Sequence, residues 1–162
     1  MSVWGLMLAA SGSVWSQTSD CASFAAVAPP GMTLKTELIA GDTVRPPGAT
    51  AGPLLVAHCK VNGRMAERTG QDGKPYHIGF ELRLPTAWNG RFLYQGGGGN
   101  DGIVRPAVGP QAAPGYALNR GFAVVTTDAG HQSPTADFGF DPIARTDNAY
   151  NAHDKVAVTA KE

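Results

Sequence analysis

No cluster of basic residues occurs in this chain of 162 residues; 13 Lys and Arg are matched by 13 Asp and Glu, for a formal net charge of zero. Without a basic patch the chain lacks the electrostatic footprint that holds nucleic acid. The apolar stretch at its start, "VWGLMLAASGSVW", is shorter than the ~20 residues of a helical membrane span. Only two cysteines are present, Cys21 and Cys59, which leaves metal binding poorly supported. His58 sits beside Cys59, but neighbours on a strand point to opposite faces. There is no internal repeat and no low-complexity tract. None of the seven serines (Ser2, Ser11, Ser13, Ser16, Ser19, Ser23 and Ser133) stands in a G-x-S-x-G elbow.

What is abundant is glycine and proline, 33 residues together, without a collagen-like period. That composition predicts a loop-rich fold with short strands, and the length fits one domain with a real core. Residues 1–20 run from apolar to small to polar, like a secretory leader, yet the first basic residue is Lys35, so the basic start of such a leader is missing. A docked or disordered apolar terminus is the alternative. On the first reading the chain is secreted or periplasmic and the folded domain is 21–162. In an exported chain an isolated cysteine pair is most simply a disulfide, worth ~4 kcal/mol for a loop of this length; two separate buried thiols are the alternative.

Along the chain, "MTLKTELIA" (32–40) alternates and reads as a strand, and the loop "DTVRPPGATAGP" ends it. "LLVAHCKVNG" reads as a second strand entering a turn at Asn62-Gly63. A further turn is expected at Asp72-Gly73. The clearest strand is "YHIGFELRLP", where Tyr76, Ile78, Phe80, Leu82 and Leu84 share one face. "RFLYQ" follows as a strand, then "GFAVVTTD" (121–128), whose near-continuous apolar character fits burial on both faces. Residues 148–162 read as a helix capped by Asp147 or Asn148. Strands dominate the first half, and a βα alternation begins near the end without a closing strand. The expectation is therefore the N-terminal part of a longer protein.

Four successive glycines, Gly96, Gly97, Gly98 and Gly99, follow "RFLYQ". Glycine loses more conformational entropy on folding than any other residue, so something must require bare backbone. One reading is a dinucleotide fingerprint: Gly97, Gly99 and Gly102 satisfy G-x-G-x-x-G, with Asp128 ending a later strand. A helix should then follow, and Pro106, Pro110 and Pro114 oppose one. A plain turn needs only one or two special dihedrals. The third reading is an oxyanion loop, in which bare amides stabilise the charge of an acyl-transfer intermediate, each donor worth roughly 3 kcal/mol.

"LPTAWNGRFLYQGGGGNDG" (84–102) followed by "ALNRGFAVVTTDAGH" (117–131) resembles the tannase and feruloyl esterase family, which also includes an aromatic polyester-monomer hydrolase. The resemblance covers about residues 21–160. It implies the N-terminal, β-rich portion of an α/β-hydrolase fold, ending before the nucleophile elbow, with a Cys21–Cys59 disulfide. It implies hydrolysis of aromatic-acid esters by a Ser-His-Asp triad whose serine lies in G-C-S-x-G-G. That sequence does not occur here, so no triad residue is present and the chain alone is expected to be inactive. The loop of Gly96, Gly97, Gly98 and Gly99 would supply one oxyanion donor. No residue matches the family's lid calcium site, so no cofactor is assigned. A non-catalytic exported β-rich module is the alternative.

Ser133, His131 and Asp128 lie close in sequence, but the resemblance puts Asp128 and His131 in a turn after a strand. They are read as hydrogen-bonding support for the glycine loop, as are Asn100 and Asp101. His77 and His153 are assigned no role. Trp88 with Asn89-Gly90 reads as a turn packed by an indole.

Overall fold

The computed structural model describes residues 19–112 and 115–162. The leader-like residues 1–18 and Pro114 lie outside that set. The strands are β1 (Met32–Ile39), β2 (His58–Thr69), β3 (Pro75–Pro85), β4 (Phe92–Tyr94), β5 (Gln111–Ala112), β6 (Gly115–Tyr116) and β7 (Ala123–Thr127). Five of them form a mixed sheet in the order β1-β2-β3-β7-β4, and β5 and β6 form a small hairpin. β1, β2, β3 and β7 pair antiparallel in turn, whereas β4 runs parallel to β7. Helices α1 (Ser19–Ala26), α2 (Pro142–Thr146) and α3 (Ala152–Thr159) complete the fold, with a π turn over Asp147–Asn151 joining the last two.

The Asn62-Gly63 turn does not form. Both residues lie inside β2, where Asn62 pairs with Lys35 and Glu81, and Gly63 with Leu34 and Phe80. A Cβ on Gly63 would overlap the Phe80 ring, so this glycine serves close approach of an aromatic rather than chain reversal. The reversal comes where Asp72 and Gly73 stand: Gly73 has φ +76°, its N–H donates to the Gly70 carbonyl, and Asp72 Oδ1 accepts from the Lys74 N–H.

Alternation in β3 separates two cores. Ile78, Phe80 and Leu82 join Val61, Met65, Val125 and Val156 on one face. The opposite face carries Glu81 and Arg83, which are buried as well, under the irregular segment before β5. Glu81 Oε1 accepts from Arg83 Nε (2.7 Å) and from the Ala107 N–H (2.9 Å). Arg83 Nη1 donates to His58 Nε2 (3.2 Å), and His58 Nδ1–H donates to the Val56 carbonyl (2.7 Å). A carbonyl only accepts and a guanidinium only donates, so this pairing sets the His58 tautomer. Burial, chiefly, holds the His58 pKa below its ordinary value. β7 is buried along its whole length, with Val125 in the first core and Val124 in a second made with Leu55, Val108 and Leu118.

The C-terminal helix starts earlier than its sequence suggests. Asp141, not Asp147 or Asn148, is the cap; its Oδ1 accepts from the Ala144 N–H (2.7 Å), and Pro142 occupies the first turn. The same carboxylate accepts from Arg68 Nη2 (2.6 Å) and the Gln71 N–H (2.9 Å). These donors, Arg68 foremost, push its pKa down to about 2. Asp147 lies within the helical run and accepts from Asn151 Nδ2. Cys21 and Cys59 form a disulfide (Cα–Cα 5.5 Å) that pins α1 to the sheet.

Candidate functional site

The C-terminal ends of the parallel strands β4 and β7 lie side by side, the position at which α/β sheets present ligands. From β4 the chain enters Gln95 and the four glycines. Gly96, Gly97, Gly98 and Gly99 are all exposed. Their structural demands differ. Gly99 has φ +67°, a region other residues enter at a cost. A Cβ on Gly97 would overlap the Asp101 carboxylate. Gly96 and Gly98 have no positive φ, and a Cβ on either would meet nothing within 4 Å. Two of the four are therefore bare without any steric or dihedral reason within the described chain.

Asp101 closes the loop on itself. Its Oδ1 accepts from the Gly98 N–H (2.9 Å), while its own N–H reaches back to the Gly98 carbonyl (3.4 Å). Asp101 itself sits at φ +55°. No described residue accepts from the Gly96 or Gly97 N–H. Asn100 Nδ2 donates to the Pro134 carbonyl (3.2 Å), tying the loop to the segment after β7.

From β7 the chain enters a turn of different character. Asp128 is 2% exposed. Its Oδ1 accepts from the Gly79 N–H (3.0 Å) and the Gly130 N–H (2.9 Å), and its Oδ2 accepts from Gln132 Nε2 (3.0 Å). The Asp128 carbonyl accepts from the Gly102 N–H (3.1 Å), which joins the two loops directly. Burial raises the Asp128 pKa, opposed by those three donors and by His77, whose Nε2 is 3.8 Å away. His77 is held below its ordinary pKa by its own burial, against the pull of Asp128. His131 is 1% exposed and stacks on Phe138 at 4.0 Å between ring centroids; its Nε2 pairs with the Asn148 amide (3.3 Å). Ser133 Oγ bonds Thr135 rather than His131 or Asp128, so these three do not form a triad.

Two residues at this end, Gln95 and Tyr94, carried no sequence signal of a role. The Gln95 side chain donates to the Pro106 carbonyl (3.1 Å) and accepts from the Gly109 N–H (2.8 Å), clamping the following segment to the root of the glycine loop. Tyr94 donates to His153 Nδ1 (2.7 Å), and His153 Nε2 donates to the Asn148 carbonyl (3.2 Å). Burial first, then the charges of Asp101 and Asp128, push the Tyr94 hydroxyl up to about 12. Trp88 closes its own turn by donating to the Arg91 carbonyl (2.8 Å). Among the described residues no group of three or more His, Cys, Asp or Glu is placed to hold a metal ion. Nor does a helix follow the G-x-G-x-x-G glycines: residues 103–110 are irregular, which removes the anion-binding helix N-terminus a dinucleotide site needs.

The mixed sheet with helices on its C-terminal units is of the α/β type. It matches an esterase from Aspergillus oryzae with a TM-score of 0.70 at 22% identity, covering 90% of this chain and 29% of that one. Feruloyl esterase B from Aspergillus oryzae matches with a TM-score of 0.69 at 24% identity, covering 90% and 28%. Residues 59–162 match the family model "Tannase and feruloyl esterase". The mono(2-hydroxyethyl) terephthalate hydrolase of Piscinibacter sakaiensis is 41% identical over 126 residues, 71% of this chain and 21% of that enzyme. An uncharacterised esterase of Xanthomonas campestris pv. campestris is 34% identical over 128 residues, 77% of this chain and 20% of that protein. The chain belongs to the tannase and feruloyl esterase family. It spans about a fifth of the length of these two relatives.

Proposed function

We propose that the chain supplies the oxyanion-loop half of a serine carboxylic ester hydrolase acting on aromatic-acid esters. The observation that carries this reading is the bareness of Gly96 and Gly98, which nothing in the fold requires, at the ligand-presenting end of β4. An ester approaching the loop needs clear space over the amides. Asp101 already occupies the Gly98 N–H, which leaves the Gly96 and Gly97 N–H groups to meet the carbonyl oxygen as it takes up charge. Asn100, Asp101, Asp128 and His131 hold the loop from behind. The nucleophile, base and second donor come from polypeptide outside this sequence, and the chain by itself is inert. The disulfide fits export to an oxidising compartment, and no helix of the described residues is long and apolar enough to cross a membrane.

A chimera tests the reading. Residues 21–162 replace the matching segment of the Piscinibacter sakaiensis hydrolase, and Gly98→Val is introduced. The fold has room for that side chain, so the loss should fall on kcat, by roughly 10²-fold or more, because the contact forms in the transition state. A folded variant with unchanged kcat defeats the oxyanion role. Turnover of methyl ferulate by the 162-residue chain alone, blocked by a serine-directed inhibitor, defeats the claim that the nucleophile lies elsewhere.

A further inference from the structure

The root of the glycine loop is held on both faces. Neighbours on a strand point to opposite sides, so Tyr94 and Gln95 brace it from opposite directions. Gln95 clamps the segment of Pro106 and Gly109. Tyr94 packs against the first core, to which Ala152 and Val156 of α3 belong. Its hydroxyl donates to His153 Nδ1 (2.7 Å), and the two rings meet edge to face with centroids 5.9 Å apart.

His153 passes the constraint on. Its Nε2–H donates to the Asn148 carbonyl (3.2 Å). A carbonyl only accepts, so in the neutral ring Nε2 carries the proton and Nδ1 is left to accept from Tyr94. Asn148 stands in the π turn, where the Ala152 N–H reaches back to the Asp147 carbonyl. Single π turns inside helices are frequent at functional sites. The side chain of the same Asn148 donates to His131 Nε2 (3.3 Å). Stacking on Phe138 fixes the plane of the His131 ring, and this bond fixes its rotation in that plane, since Nδ1 is buried without a partner among the described residues. The edge so oriented faces Gly102: a Cβ there would come 2.9 Å from His131 Cε1. Gly102 is the residue whose N–H donates to the Asp128 carbonyl and joins the two loops.

We propose that Tyr94, His153 and Asn148 are positioning residues: a hydrogen-bonded relay that runs from the root of the glycine loop through the π turn to His131 and sets that loop against the β7 turn. None of the three lies in the glycine loop itself. Without the Tyr94 hydroxyl the His153 ring loses one of its two anchors. The Asn148 carbonyl then loses a donor of fixed direction, and the His131 edge beside Gly102 loses its rotational stop. The relay rests on these hydrogen bonds alone; its effect on turnover rests on the oxyanion-loop reading.

The test reads both. In the isotope-labelled 162-residue chain, Tyr94→Phe keeps the ring in the core and removes the hydroxyl alone. The Gly102 amide and His131 ring resonances are expected to shift, while the Gly79 amide, held by Asp128 from β3, stays. His153→Gln still offers a carbonyl to Tyr94 and an N–H to Asn148, so it should keep the original Gly102 resonance, and His153→Ala should not. Asn148→Ala should move Gly102 and His131 and leave the Tyr94–His153 pair as it was. In the chimera with the Piscinibacter sakaiensis hydrolase, Tyr94→Phe and His153→Ala should each lower kcat about tenfold at unchanged KM, and the double variant no further, because both break one chain. Gly102 and His131 resonances indifferent to Tyr94→Phe overturn the relay, as does an unchanged kcat where Gly98→Val loses activity. His153→Gln as disruptive as His153→Ala overturns it too, because the packing of the ring rather than its two bonds would then carry the effect. Should Gly98→Val also leave kcat unchanged, the oxyanion reading fails and the resonances alone decide the relay.

Discussion

Two loops leave the same end of two adjacent parallel strands and are built in opposite ways. The turn after β7 is buried, and the Asp128 carboxylate alone receives three donors from β3 and from its own turn. The loop after β4 is exposed and is held by Asp101, Asn100 and the joint between Gly102 and Asp128. Buried polar groups must be paired, so the β7 turn has one arrangement. Exposed amides are free of that demand, and the β4 loop leaves the N–H groups of Gly96 and Gly97 without a partner among the described residues. A fixed foundation beside an open row of donors is what a preorganised binding loop needs, since its geometry is set before any ligand arrives.

Breaking the foundation should cost most. Asp128→Ala leaves the Gly79 and Gly130 N–H groups buried and unpaired, and is expected to lower stability by roughly 3–5 kcal/mol in urea unfolding. A loss under about 1 kcal/mol would show that the turn does not depend on this carboxylate. A smaller effect should follow acidification. His58 and His77 have folded pKa values below the ordinary 6.5, so unfolding takes up protons there. Stability contributed by the neutral rings is complete above about 6.5 and is lost as pH falls from there through the lowered folded values. His77 touches the Asp128 end, so amide exchange around Gly79 and Gly130 should rise before that of the glycine loop changes. A stability flat from pH 7 to 5 would refute the assignment.

The glycine loop itself should respond unevenly. Gly97→Ala displaces the Asp101 carboxylate and is expected to cost roughly 1 kcal/mol, visible as a shifted Gly98 amide resonance. Gly96→Ala and Gly98→Ala should change stability by no more than about 0.5 kcal/mol. Equal losses at all four positions would erase the distinction between glycines the fold requires and glycines it leaves bare.

Much of the framework was legible because its signals are local. Period-two alternation located β1 and β3, and the apolar run 121–128 contained β7, buried on both faces. Asn62-Gly63 misled because turn propensity is also local, whereas the approach of the Phe80 ring across the sheet is not. The helix start was missed for a related reason. Asp141-Pro142 is a sound cap signal, but Asp147 and Asn148 carry one nearer the apolar positions.

By itself the sequence determined the strand pattern, the position of the four glycines and the family motifs, since each is a property of neighbouring residues. Only the tertiary structure decided which glycines the fold requires, which amide Asp101 occupies, and that Glu81, Arg83 and His58 share one buried cluster. Those depend on groups distant in sequence: Gly79 meets Asp128 across 49 positions, and Arg68 meets Asp141 across 73. Hydropathy along a strand shows which residues alternate, and what lies against each face is set by the segments that pack there.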